Sequence, residues 1–152
     1  MGIKVVQLLA IIAAALYLVP TGAHLFELPH KMALSPAEYI TVQQIYAGWD
    51  LFGIVIGIAL LATLANTVLV RADRPALAWS LGAFLALAAT QGVFWAFTYP
   101  INVATQSWTV SPEQFEAARQ QWEYSHGASA VLTFVALVAM VFSSLKYQSR
   151  CG

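Results

Sequence analysis

The chain has 152 residues, of which 60% are apolar and only 9% are Asp, Glu, Lys or Arg, against roughly a quarter charged in ordinary soluble domains. That composition excludes a soluble globule, and seven basic residues against seven acidic ones leave no net field to attract nucleic acid or another polyanion. The single cysteine, Cys151, excludes a disulfide framework and any Cys-rich zinc or iron–sulfur site, so the three histidines dominate any metal argument.

Four stretches approach the roughly 20 apolar residues that cross a bilayer: Val5 to Ala23, Leu51 to Val70, Ala76 to Phe97, and Gly127 to Leu145. Only helices satisfy their own backbone in hydrocarbon at such lengths. The predicted fold is therefore all-α, a bundle of four transmembrane helices forming a single integral membrane domain over residues 1–152. Lys4, the apolar run and the small residues Gly22 and Ala23 also fit a cleaved signal peptide. The reading as a retained helix is preferred because polar groups of interest follow the run directly. Lys4, Arg71, Arg74, Lys146 and Arg150 flank one side and only Lys31 and Arg119 the other, which predicts a multi-pass protein of a bacterial inner membrane with both termini in the cytoplasm.

Between the first two spans, Ser35-Pro36-Ala37-Glu38 reads as a capping box. Ser111-Pro112-Glu113-Gln114 reads the same way before the fourth. Helices two and four are thus expected to start well before their apolar runs, to be about 35 residues long if unbroken, and to project outward, since about 50 Å at 1.5 Å per residue exceeds a hydrocarbon core of about 30 Å. The two segments align without a gap at an offset of 76, Ser35 on Ser111 and Asp50 on His126; two parallel helix-hairpin repeats and chance similarity are both open. The hairpin turn Arg71 to Pro75 offers Asp73 as a cap. Gly53 and Gly57 form a GxxxG pair, which permits close packing within the monomer or between copies of a homo-oligomer.

The ionisable groups gather at the outer end, the signature of a functional site at membrane depth or of a headgroup rim. His24, Glu27 and His30 follow helix one, and Glu123 and His126 open helix four. Glu27-x-x-His30 and Glu123-x-x-His126 would be half of a di-iron carboxylate pattern, but the other two helices supply only Asp50, Asn102 and Gln91, and Pro29 is expected to end helix one within the first pair. A single metal needs fewer ligands, and His24, Glu27, His30, Glu123 and His126 suit zinc, copper or non-haem iron. Haem would need only one or two of His24, His30 and His126. Trp49 and Trp122 are among many aromatics that could wall a pocket or mark the membrane interface. Arg119 either pairs with Glu123 one turn on or, beside Asn102 and Trp122, holds a substrate oxygen; Asn102 can also simply end helix three.

Pro100-Ile101-Asn102 after the third span, then Trp108, and the run Arg119, Trp122, Glu123, His126 resemble the small four-helix membrane proteins grouped with fungal anthrone oxygenases. The resemblance implies oxygen insertion into an activated aromatic carbon. The segment from Ala23 to Lys31 maps onto no motif of that group. The expected function is a membrane oxidoreductase or oxygenase for a small hydrophobic substrate, with His126, Glu123 and Arg119 catalytic, and with Asn102, Arg119, Trp122, Trp49 and Asp50 binding substrate. Iron, as haem or a non-haem centre, is the expected cofactor. Metal-free chemistry, in which His126 or Glu123 removes a proton, stays open. The alternative is a non-catalytic accessory protein or a binder of haem, metal or quinone.

Overall fold

The computed structural model describes residues 2–151, with side chains described through Tyr147. Six α-helices follow in order: α1 Ile3–Lys31, α2 Pro36–Gln43, α3 Phe52–Leu69, α4 Arg74–Val93, α5 Tyr99–Ala104 and α6 Phe115–Cys151. Among the described residues, four stretches are long and apolar enough to cross a membrane: Ile3–Lys31, Trp49–Leu69, Arg74–Ala104 and Phe115–Tyr147. The chain is an all-α, multi-pass membrane bundle. Helix α1 packs on α3 and α6, and α4 packs on the same two, giving a ring in the order α1, α3, α4, α6. Below, the end carrying both termini is called the terminal end and the opposite one the far end.

Helices α1, α3, α4 and α6 approach closely because their facing residues are small. Ala10, Ala13, Ala59, Ala83, Ala136 and Ala139 make most of the core, with Ile56, Leu87 and Met140 filling the gaps, the packing expected where association cannot draw on hydrophobic burial. Leu8, Ile12, Leu16, Ile54, Ile58 and Leu61 lie exposed on the outside, where acyl chains solvate them. Gly53 and Gly57 meet no atom within 4 Å of a built Cβ. Their stripe therefore does not seat a neighbouring helix within the monomer.

Several expectations are corrected. Helix α1 does not end at Pro29 but carries both Pro20 and Pro29 and runs to Lys31, with the Met32 N–H still bonding the Leu28 carbonyl. A proline removes one hydrogen bond and crowds one carbonyl, which neighbouring helices and hydroxyls can offset in a bundle; the Thr21 hydroxyl bonds the Tyr17 carbonyl at 3.1 Å. Helix two is not one unbroken rod. After the Ser35–Glu38 capping box forms as expected, α2 gives way to two 3-10 turns, Gln44–Tyr46 and Trp49–Leu51, separated at Gly48 with φ +86°. Glycine accepts this left-handed conformation without a Cβ penalty and so stops the helix.

The fourth span is unbroken over 37 residues, about 55 Å, but its first helical residue is Phe115. The Gln114 carbonyl accepts the Ala118 N–H at 3.0 Å, and the Ser111 box does not form. The two segments aligned at an offset of 76 thus differ in structure, one broken before its span and the other continuous.

The third span also departs from a plain helix. A π-turn at Phe94–Thr98 precedes Pro100, and widening the turn there accommodates the proline ring. Asn102 does not terminate the helix, which continues to Ala104. Three residues in left-handed conformation, Gln106, Ser107 and Trp108, then turn the chain back. Each costs on the order of 1–2 kcal/mol, offset by burial of Trp108 among Tyr39, Phe115 and Trp122. At the terminal end Asp73 caps α4 as expected, accepting the Ala76 N–H at 3.2 Å.

The α2 cap gives the first testable consequence. The Ser35 hydroxyl and N–H hold the Glu38 carboxyl below its ordinary value of 4.5. A depressed carboxylate contributes fully above that ordinary value and loses its contribution as pH falls through the lowered one. The protection factor of the Ser35 amide, which donates to Glu38 Oε2, is expected to fall over that acid range, and Ser35→Ala, which removes the hydroxyl bond and keeps the backbone one, is expected to move the fall to higher pH.

Candidate functional site

Polar groups from α1, α2 and α6 converge at the far end. On α1, His24, Glu27 and Lys31 share a helical face by their spacing of three and seven. On α6, Arg119, Trp122, Glu123 and His126 form a matching stripe. Helix α2 and the turns after it lie across the two and add Tyr39, Gln43, Tyr46 and Trp49.

The centre is a buried ion pair. Lys31 Nζ lies 2.6 Å from Glu123 Oε1, with the side chains 4% and 0% exposed. The same oxygen accepts the Tyr39 hydroxyl at 2.7 Å and Gln43 Nε2 at 3.5 Å. The ammonium sits 4.6 Å from the Tyr46 ring centroid, 4.8 Å from Trp122 and 5.6 Å from Tyr39, an aromatic cage of the kind that stabilises a desolvated cation. Burial, and then the Glu123 charge, push the Tyr39 hydroxyl well above its ordinary value of 10.0. Burial and its bond to Glu27 do the same for Tyr46. Both phenols therefore stay protonated and act as donors to carboxylates.

Beside this pair lie two imidazoles in contact. The His24 and His126 ring centroids are 4.3 Å apart, His126 is 4.0 Å from Trp122, and Tyr46, Trp122 and Trp49 surround His24 at 4.5, 5.0 and 5.8 Å. His126 Nδ1 is within 2.9 Å of the Trp122 carbonyl, so its Nε2 is the ring nitrogen turned away from the backbone. His24 Nδ1 and Glu123 Oε2 are buried without a hydrogen-bond partner. Trp122 is fixed in turn by its Nε1, which donates to Asn102 Oδ1 at 2.7 Å.

Arg119 is buried, and its ion pair is not the expected one. It pairs with Glu116 rather than Glu123, and its NH1 donates to the Leu34 carbonyl at 2.8 Å and the Lys31 carbonyl at 3.5 Å, between the Tyr39 and Phe115 rings. It clamps the carbonyls where α1 ends. Loss of a charge-assisted bond of this kind costs roughly 1.5–3 kcal/mol, so Arg119→Gln is expected to lower detergent thermal stability by that amount and to leave ligand affinity at the histidines unchanged.

The anticipated metal set His24, Glu27, His30, Glu123 and His126 is not brought together as a unit. Six residues after His24, His30 is rotated about 240° round α1 and is exposed. Glu123 is engaged by Lys31, Glu27 by Tyr46, and among the described residues no group of three or more His, Cys, Asp or Glu is arranged to hold a metal ion. Asp50 is exposed and stands outside the cluster, whereas Trp49 joins it. Lys31, Tyr39 and Gln43 were not anticipated. Lys31 served only as a topology marker, although its spacing from His24 and Glu27 places it on their face once α1 continues past Pro29.

Four apolar spans with a polar cluster at one end define a multi-pass membrane bundle with a candidate site at the far end. No protein-family model, curated protein or solved structure matches the chain.

Proposed function

We propose that this protein is an integral membrane oxidoreductase of the oxygenase kind, which takes a small hydrophobic aromatic substrate from the bilayer into the far-end cluster. The observation that carries this reading is the His24–His126 contact beside Glu123, with His24 Nδ1 and Glu123 Oε2 buried and unpartnered. Such atoms cost roughly 1–3 kcal/mol each, and ionisable groups at membrane depth mark functional sites. Imidazole is also the commonest general base.

A methylene conjugated through aromatic rings to a ketone gives up a proton to the imidazole, and the resulting electron-rich carbon is oxidised by dioxygen. Overall, the methylene and one dioxygen become a carbonyl and one water, which balances without another reductant. Tyr46, Trp49 and Trp122 supply flat apolar walls for the ring system. Lys31 and Tyr39 hold the Glu123 carboxylate in place, Asn102 orients Trp122, and Arg119 secures the end of α1. The likeness of Pro100-Ile101-Asn102, Trp108 and the Arg119 to His126 run to anthrone oxygenases supports the same reaction class.

Were iron bound, His24 and His126 would be its imidazole donors, since Glu27 and Glu123 are engaged by Tyr46 and Lys31. Centroids 4.3 Å apart leave no room for a macrocycle between the rings, so the pair suits a non-haem ion better than a bis-histidine haem. Bound there, iron would supply activation of dioxygen. Four rings within 6 Å of His24 favour a second reading, a non-catalytic binder of a quinone or metal in which those rings hold the ligand.

Anthrone is the probe that tests the reading. Saturable quenching of tryptophan fluorescence by anthrone in mild detergent is expected, and its absence would remove the substrate pocket. Metal analysis with an absorption spectrum separates non-haem iron, haem and metal-free chemistry. The proposal further places both termini in the cytoplasm of a bacterial inner membrane, on five basic residues against two, and a second copy against the Gly53–Gly57 stripe. Thr109→Cys on a Cys151→Ser background is expected to be labelled from the periplasm in intact cells; labelling only after disruption contradicts the orientation.

A further inference from the structure

A second polar layer crosses the bundle toward the terminal end, independent of the far-end cluster. Each of the four spans contributes a side chain at most 2% exposed: Gln7 on α1, Asn66 on α3, Ser80 on α4 and Ser143 on α6. Asn66 Nδ2 donates to Ser80 Oγ at 2.9 Å and to Ser143 Oγ at 3.3 Å. Ser144, the next residue of α6, donates to Gln7 Oε1 at 3.3 Å, which sets Gln7 at the same level.

The hydrogens of this layer can be assigned one by one. The Ser143 hydroxyl donates to the Ala76 carbonyl at 2.9 Å, so its oxygen can only accept from Asn66. The Thr67 hydroxyl donates to the Thr63 carbonyl at 2.9 Å, so Ser80, 2.8 Å away, must donate to Thr67 and accept from Asn66. The Asn66 amide is thereby fixed with Nδ2 toward both serines and Oδ1 turned away. Three buried atoms are left without partners: the acceptor Asn66 Oδ1, the donor Gln7 Nε2, and Thr63 Oγ1, one turn before Asn66 on α3 and able to do either.

We infer that this layer binds an internal water molecule, held by Asn66 Oδ1, Thr63 Oγ1 and Gln7 Nε2. One acceptor, one donor and one hydroxyl match the valence of water, which typically makes about three bonds in such sites. A cation would meet the amide hydrogens of Gln7, and a lipid tail would satisfy none of the three. The neighbouring Ala10, Ala59, Ala83 and Ala139 keep the surrounding side chains short. A surface groove of about 270 Å³ lined by Lys4, Gln7, Leu8, Ile11 and Ser144 reaches Gln7 from the terminal end. The bound water ties α1 to α3 where the protein supplies no direct polar bond between Gln7 and Asn66.

Infrared difference spectra of the purified protein in ordinary and ¹⁸O-labelled water test this. The wild type is expected to show an O–H stretching band apart from bulk water that shifts on labelling. Thr63→Ser is expected to keep it, whereas Thr63→Val and Gln7→Met are each expected to lose or displace it and to lower the melting midpoint. A wild-type spectrum without a label-sensitive band overturns the inference. So does a Thr63→Val variant that melts higher, because removing a dry, unpartnered hydroxyl is stabilising. A midpoint that rises with sodium chloride but not with choline chloride assigns the layer to a cation instead. Should Thr63→Val not fold, the wild-type band and its response to Gln7→Met decide.

Discussion

Lys31→Met is expected to destabilise the protein by about 3–5 kcal/mol, the range for removing one partner of a buried ion pair. The methionine fills most of the lysine's volume, so the loss comes from Glu123, left 0% exposed with its charge uncompensated. The double variant Lys31→Met with Glu123→Leu is expected to recover most of the loss, because replacing both charges by apolar groups is often neutral or stabilising. Denaturation in mild detergent, read by circular dichroism, measures both. A single variant costing under about 1 kcal/mol would match a solvated surface pair and would contradict the desolvated cage. A double variant that is stable but inactive would assign the pair to function rather than to folding.

The second large effect is kinetic. His24→Ala and His126→Ala are each expected to slow dioxygen-dependent turnover of anthrone by roughly 10²- to 10⁴-fold, the usual contribution of a positioned general base, with the bundle still folded. His30→Ala and Glu113→Ala are expected to change the rate little, since both side chains are exposed. Equal loss in all four variants would detach the chemistry from the imidazole pair. A loss confined to His126→Ala would make His24 a wall of the site and His126 the base.

The four spans were legible because a run of about 20 apolar residues has few other uses, and the α6 stripe was legible because Arg119, Trp122, Glu123 and His126 recur at helical spacing. Errors arose where a local signal met a tertiary one. Pro29 reads as a stop, yet the bundle carries α1 one turn beyond it, and that turn positions Lys31. Taking Pro29 as the end left His30 grouped with His24 and left Lys31 out. Gly48 carries the opposite information, a left-handed break inside the long helix that the Ser35 capping box suggests. The partners of Glu123 were not legible from spacing at all. Tyr39 lies 84 residues from Glu123, and only the fold-back of α2 over the α1–α6 seam brings its hydroxyl there. Spacing leaves Arg119 open between a pair with Glu123 and a pocket-facing role; its partners are Glu116 and backbone carbonyls at the end of α1, and a backbone carbonyl has no residue signature.

Oxygen uptake by the purified wild-type protein in mild detergent, with anthrone as substrate and an oxygen electrode as detector, tests the central claim most directly. The account predicts saturable uptake above the buffer rate, with one dioxygen consumed for each anthraquinone formed, and its loss in His24→Ala. Uptake indistinguishable from buffer, in protein that is folded and supplied with iron, would contradict it.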